Sequence, residues 1–301
     1  MKAKFLSLTL LAAGITGGLS SIPVEARSAS AQTSAAKVAD PVRQIEDLAR
    51  LFRASDVVGL SQAVVPASKW EELTLLYELK QLENVDPEDR AEFAENLARI
   101  TGPDAVETLM ETFEPELEKA RPQAPGALMM GFGAMHMAIT SPESTLSDEQ
   151  RAALQQAFPA IQQWASTTDF LSSDTLRRAL TLLTNAARSA GISDLDQLKA
   201  MPLEAVLGRA RPILVAAKQA VKLYGIDLDQ VANSLNVEVL AIAGETARVR
   251  TTITLFNAPV WHEHDLVLVE GRWYPKHAAM HFEDDEHDVE VDVESKSQAK
   301  G

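Results

Sequence analysis

The chain has 301 residues, 46% of them hydrophobic and only 5% aromatic, a composition typical of one or two globular domains built from packed helices. Its net charge of −15 and sequence pI near 4.9 argue against binding to nucleic acid or to an anionic membrane surface, because both require a basic patch. The absence of cysteine excludes disulfides, thiolate zinc sites and a cysteine nucleophile.

Residues 1–31 are predicted to be a secretory signal peptide. Two lysines give a positively charged start, residues 5–19 are apolar, and Ala29-Ser30-Ala31 supplies the small side chains that precede a cleavage site. Cleavage after Ala26 is the alternative. The apolar centre is about 15 residues long and contains helix-weakening Gly and Thr, which favours a cleaved signal over a permanent membrane anchor, and no second long apolar run follows. We therefore expect a periplasmic protein whose mature chain has no integral membrane span.

Residues 32–234 are predicted to form a helical region. Aspartate followed by proline is a typical helix start, and Ser147 with Gln150 forms a capping-box pair. Glycine just after an apolar stripe is a typical helix end. Helices are predicted to begin at Pro41, Ser55 or Asp56, Pro66, Pro87, Pro103, Ser147, Pro159, Asp174, Pro202 and Asp227, and glycine stops are predicted at Gly102, Gly191 and Gly225. The helix that starts at Pro202 is expected to run without a break to Tyr224.

Residues 235–277 are predicted to form an antiparallel β-meander packed on the helices. Residues 248–255 alternate strictly between polar and apolar side chains, which is the pattern of a half-buried strand. Turn sequences at Gly244-Glu245, at Asn257-Ala258-Pro259 and at Glu270-Gly271 divide the segment into four strands. The predicted fold class is therefore α+β, with a predominantly helical body followed by a small four-stranded sheet.

Residues 278–301 are predicted to be an acidic, disordered tail. Between Phe282 and Glu294, eight of thirteen residues are acidic, which favours a solvated segment. The alternating Val289, Val291 and Val293 leave a fifth strand as an alternative.

A short apolar segment of 14 residues, 126–139, is predicted to be a buried central helix, since it is apolar on all sides and too short to span a bilayer. It contains four methionines and one histidine: Met129, Met130, Met135, His136 and Met137. Core packing is the favoured interpretation of this cluster, because methionine commonly fills irregular cores. A copper(I) site is the alternative, because thioether and imidazole both suit that ion.

Five of the six histidines lie between His262 and His287 and suggest a metal site. His262 and His264 are two residues apart on a predicted strand and so share a face, while His277 and His281 are four apart, as on one turn of a helix. With nearby carboxylates they could bind zinc, nickel or copper. A polar strand edge followed by an acidic tail explains the same residues without a metal.

The aromatic residues Trp261, Trp273 and Tyr274 are candidates for lining a ligand pocket between sheet and helices. Large anchors of that packing surface are the simpler interpretation. The sequence contains no nucleophile elbow, zinc-protease motif, phosphate-binding loop or dinucleotide fingerprint.

The C-terminal segment resembles the end of small secreted domains of the nuclear transport factor two-like kind, through Ala247, Val249 and the sequence from Gly271 to Tyr274. That resemblance implies a curved sheet packed on helices, often around a pocket used for ligands, catalysis or assembly. The chain from residue 32 onwards also resembles uncharacterised exported proteins of Gram-negative bacteria. Neither resemblance carries a catalytic residue to this chain.

Together these features favour a non-catalytic binding or interaction protein of the cell envelope, whose partner is an envelope protein or a small apolar ligand. A metal-binding protein that uses the C-terminal histidines is the second hypothesis. An enzyme with a pocket between sheet and helices is the third. Fold alone does not separate these hypotheses.

Overall fold

The computed structural model describes residues 39–144, 146–276 and 278, without the side chain of Glu149. Within these residues the chain is mostly helical and carries one antiparallel sheet near its C-terminal end, so the predicted α+β class is confirmed. The predicted signal peptide at 1–31, the acidic tail beyond Ala278, and His277 and His281 all lie outside the described residues.

The described elements run from a helical region into the sheet. They are α1 (Pro41–Ala54), α2 (Val57–Ala63), α3 (Ala67–Gln81), α4 (Pro87–Thr101), α5 (Ala105–Ala120), a 3-10 turn (Arg121–Gln123), α6 (Ala124–Thr140), α7 (Asp148–Thr167), α8 (Ser173–Ala190), α9 (Leu195–Lys199), α10 (Leu203–Arg209), α11 (Arg211–Leu223), α12 (Leu228–Asn233), β1 (Asn236–Ala243), β2 (Thr246–Leu255), β3 (Ala258–Val269) and β4 (Arg272–Pro275).

Side-chain caps fix several of the helix starts. The Asp40 carboxylate accepts a hydrogen bond from the backbone N–H of Val42 at 3.1 Å, with Pro41 in the first helical position. Ser147 and Gln150 form the reciprocal capping box at the start of α7. Gly191 ends α8 in the left-handed conformation at φ 64°, where a side chain would be strained.

Two proline predictions were wrong. Pro159 does not begin a helix but lies inside α7, where it removes one backbone hydrogen bond. Helix α7 packs against both α6 and β3, and these contacts stabilise it despite that loss. The segment from Pro202 to Tyr224 is not one helix, because it breaks at Ala210 between α10 and α11. Pro212 in the first turn of α11 has no N–H to donate to a preceding turn, which favours a new helix start there.

The sheet is a simple meander with the order β1-β2-β3-β4 in the described part of the chain. Phe256 and Asn257, at φ 51° and 63°, join β2 to β3, so this tight turn lies one residue earlier than predicted. A β-bulge at Leu240 interrupts the pairing of β1 with β2. The pairing of β2 with β3 is continuous and places Val249 opposite His264.

Helix α1 covers one face of the sheet. Ala247, Val249, Leu266 and Trp273 are buried there, and Ile45 of α1 packs against them. Helix α1 also contacts α2 and α12, while α8 packs against α11, α5 and α4. Helix α7 packs against β3 and also against α6. The core is therefore shared between the sheet and the α8–α11 pair, and α6 lies outside both.

Candidate functional site

The two described C-terminal histidines lie together on the face of β3 that also carries the core. The ring centroids of His262 and His264 are 4.6 Å apart, with the rings nearly perpendicular. The Nε2 atom of His264 is 2.6 Å from the hydroxyl oxygen of Thr251. Because one ring nitrogen of His264 is engaged in this way, a metal bound there would compete with the threonine hydroxyl.

The nearest carboxylate in sequence, Glu263, points to the opposite face of the sheet. It accepts hydrogen bonds from Arg250 at 2.7 Å and from Arg248 at 3.0 Å. The hydrogen bond from Arg250 and the positive charges of both arginines lower the pKa of Glu263 below its usual range. Glu263 is thus held as a charged structural partner, away from His262 and His264.

No group of three or more histidine and carboxylate side chains within the described ranges is arranged to hold a metal ion. His262 and His264 supply two imidazoles, and the other two predicted ligands lie outside those ranges. A metal site at these histidines therefore stays a prediction.

The three aromatic residues of the predicted pocket do not share one face. Trp273 lies on the core side, where its indole N–H donates to the backbone oxygen of Ala39 at 2.7 Å. Tyr274 points the other way and is 1% exposed, with its hydroxyl donating to the backbone oxygen of Val65 at 3.1 Å. The guanidinium group of Arg250 lies over the ring of Trp261, with its Cζ atom 5.1 Å from the ring centroid. These side chains anchor three separate contacts.

Helix α6 is held at one side and at both ends. The Phe132 ring packs edge-to-face on Phe158 of α7 with centroids 6.2 Å apart. Arg121, in the turn before α6, donates to the backbone oxygen of Leu171 at 2.6 Å. Arg151 of α7 donates to the backbone oxygen of Ser141, just after α6, also at 2.6 Å. These contacts fix the position of α6, and one side of the helix stays exposed along its length.

The prediction that residues 126–139 form a buried central helix was wrong. In α6 only Ile139 is buried, and the side chains of Met129, Met130 and Met137 are 76%, 75% and 67% exposed. His136 is also exposed, although its ring lies 6.2 Å from that of Phe158. Apolar composition on all sides indicates burial only where neighbours surround a helix, and α6 packs mainly on α7.

The core interpretation of the methionine cluster is wrong for Met129, Met130 and Met137, whereas Met135 is half-buried. From Ala124 to Thr140, α6 carries no Asp, Glu, Lys or Arg. Gly126, Gly131 and Gly133 have open space where a side chain would lie. This exposed, uncharged side of α6, centred on Met129, Met130 and Met137, is named the α6 surface below.

Helix α3 presents a second exposed apolar row that the sequence analysis missed. Leu75 and Leu79 of α3, with Leu82 just after its end, follow the i, i+4, i+7 spacing of one helix side and are 56%, 51% and 81% exposed. No residue of α3 is buried. The signal was present in the sequence, because leucines occur on several sides of this helix and cannot all reach one core.

None of the helices among the described residues is long and apolar enough to cross a membrane. The chain matches no protein-family model, no curated protein and no solved structure.

Proposed function

We propose that this chain is an exported, non-catalytic interaction protein of the cell envelope, and that it binds a partner protein through the α6 surface. The observation that carries the proposal is the uncharged helix α6, with three methionines at least two-thirds exposed. Contiguous exposed apolar side chains on a soluble domain mark interaction sites, because exposing them to water costs free energy.

The magnitude of this effect suits a specific interaction. Complete burial of one methionine contributes about 1.5–3 kcal/mol, so three contribute roughly 5–9 kcal/mol before the entropy cost of association. Methionine side chains are flexible and polarisable, and they adapt to partners of different shape. The anchored side of α6, through Phe132 and Phe158, holds the exposed side ready for a partner.

The charge of the chain segment that leads into α6 bears on the chemistry of that partner. Residues 67–120 contain 15 acidic and 5 basic residues, and α5 leads through the 3-10 turn directly into α6. An acidic partner or a second copy of this acidic region would be repelled. The partner is therefore an apolar protein segment flanked by lysine or arginine.

Photo-crosslinking in native cells tests this proposal. A photoreactive side chain at position 130 of the full chain is expected to give one discrete protein adduct, and Met129→Glu should abolish it because a charge is costly to bury there. The same probe at Gln156, exposed on α7, and the variant Gln155→Glu with the probe at 130 are the matched controls.

The Gln156 probe should give no such adduct, and Gln155→Glu should leave the adduct from position 130 intact. Equal adducts from positions 130 and 156, or an adduct that Met129→Glu does not reduce, contradict the proposal. Cell fractionation of the same samples tests the export part, since an adduct found only in the cytoplasm would refute it.

Metal binding at His262 and His264 is a second candidate function, favoured by the 4.6 Å separation of their rings on one face. Titration of the full chain with zinc or copper should then give one equivalent whose affinity falls as pH drops through the histidine range, because imidazole binds metal only when neutral. His264→Ala should remove that equivalent and His136→Ala should not. Binding that is unchanged by His264→Ala removes this candidate.

A further inference from the structure

A shallow groove runs between α8 and α11 on the outside of the helical body. It consists of two open recesses of about 450 and 610 Å³ that share Leu182 and Gln219 in their walls. One recess lies between residues 182–189 of α8 and the start of α11, and the other lies between residues 177–182 and the end of α11. The two helices are therefore antiparallel along the groove.

The floor of the groove is apolar. Ala186 and Ala216 are buried where the two helices meet, and Leu182 and Val215 line the wall above them. The alanine side chains at this contact are short, so they do not fill the channel along the junction of the two helices. Residues 178–189 of α8 extend about 16 Å, or roughly three helical turns.

The charged side chains that line this groove are basic, whereas the chain as a whole is acidic. Its walls contain Arg177, Arg178, Arg211 and Lys222 and no Asp or Glu, in a chain that has 43 acidic and 28 basic residues. Three of these cations surround the recess at the end of α11, and Arg211 lines the other recess. The basic groups are thus distributed along the channel and do not form a single cluster.

Two of the four cations already have a partner. Arg177 pairs with Glu107 at 2.5 Å, and Lys222 pairs with Asp227 at 2.6 Å. Arg178 and Arg211 are exposed and, among the described residues, make no hydrogen bond or ion pair. Within the described part of the chain, both guanidinium groups are thus open to carboxylates from outside, in the bidentate manner that arginine favours.

We propose that the α8–α11 groove binds an acidic amphipathic helix of a partner protein. The apolar side of that helix lies on Leu182 and Val215, and its carboxylates meet Arg178 at one end and Arg211 at the other. An open channel of three turns suits a helix laid along it better than a small anion, which needs convergent donors in an enclosed site. Charge complementarity selects an acidic partner here, whereas the α6 surface selects a basic one.

This inference does not depend on the proposed role of the α6 surface, because the groove and that surface have no residue in common. The probe is a fluorescent helical peptide of about 15 residues, with leucine at i, i+4 and i+7 and glutamate in its first and last turns. A peptide of the same composition with scrambled leucine positions is the matched control. Binding to the full-length protein is measured by anisotropy at low and high ionic strength.

The peptide is expected to bind, with an affinity that falls as salt increases, and the scrambled peptide should bind about tenfold more weakly. Arg178→Gln combined with Arg211→Gln should weaken binding about tenfold or more. Arg43→Gln combined with Arg50→Gln makes the same charge change on α1, where both side chains are more than half exposed, and should alter binding less than about twofold.

Met129→Glu, on the α6 surface, should not change peptide binding. The inference is overturned if the leucine-ordered and scrambled peptides bind equally, or if the two double variants have the same effect. It is also overturned if sedimentation shows that the groove variants dissolve a dimer of this chain while the peptide does not bind, since a second copy would then be the occupant.

Discussion

At the scale of single residues, Lys218 of α11 is the most deeply buried charge in the described part of the chain. Its ammonium group lies 2.6 Å from the Asp229 carboxylate and donates to the backbone oxygens of Phe52 and Arg53 at 3.1 Å. It also lies 5.2 Å from the centre of the Phe52 ring. One lysine thus caps the C-terminal end of α1 and joins it to α11 and α12, which satisfies all of its donors.

Lys218→Met should therefore destabilise the protein by about 2–3 kcal/mol, because the helix-end carbonyl of Arg53 loses its donor and the half-exposed Asp229 loses its partner. Lys222→Met, on the same helix, is the matched control. The Lys222 side chain is 65% exposed and its pair with Asp227 is screened by water, so we expect a much smaller change than for Lys218→Met. Chemical denaturation of both variants measures the difference, and equal effects would show that Lys218 has no special structural role.

The sequence predicted side-chain positions correctly where strand side chains alternate strictly between the two faces of the sheet. His262 and His264 were expected to share a face because strand side chains alternate, and their rings are neighbours. The burial of Lys218 could not be predicted in that way. A lysine on an amphipathic helix normally extends to water, and only the approach of α1 and α12 in three dimensions provides its partners.

At the scale of elements, the outer edge of β4 is protected by a side chain from α1. The Gln44 amide donates to the backbone oxygen of Trp273 at 2.5 Å and accepts from its backbone N–H at 2.9 Å. The backbone N–H of Ala39 donates to Gly271 at 2.9 Å. An amide side chain thus takes the place of a neighbouring strand at this edge, which otherwise would be open to pairing with another chain.

Gln44→Leu keeps the size of this side chain but leaves both buried backbone groups of Trp273 without a partner. We expect a loss of about 2–4 kcal/mol in the free energy of unfolding, together with faster amide exchange in β4. Gln155→Leu, at an exposed position of α7, should change the free energy of unfolding by less than about 0.5 kcal/mol. Unchanged exchange in β4 in the Gln44 variant would show that the edge does not depend on this amide.

The elements themselves were largely predictable, whereas their burial was not. The turn residues marked the four strands, because tight antiparallel turns need residues that tolerate positive φ, as at Asn257 and Gly271. The helical character of α6 followed from its composition, but its exposure did not. Hydrophobic pattern shows which side of a helix is apolar, and the packing partner that covers that side depends on the whole fold.

At the scale of the whole molecule, the α6 surface and the α8–α11 groove differ in their charge. The α6 surface is uncharged and follows an acidic helical segment, and the α8–α11 groove is basic along an apolar floor. A protein with two surfaces of different chemistry can bring two partners together. That arrangement fits an interaction protein better than an enzyme that needs one pocket with convergent polar groups.

Methionine oxidation tests the central claim most directly, because it reports whether the α6 surface is covered in the cell. In the purified protein, Met129 and Met130 should oxidise rapidly with mild peroxide, while Met110, which is 2% exposed, should resist and serve as the internal control. In intact native cell envelopes, mass spectrometry should show Met129 and Met130 protected to a level near that of Met110. Equal oxidation of Met129 and Met130 in the purified protein and in the envelope would contradict the proposal that a partner binds α6.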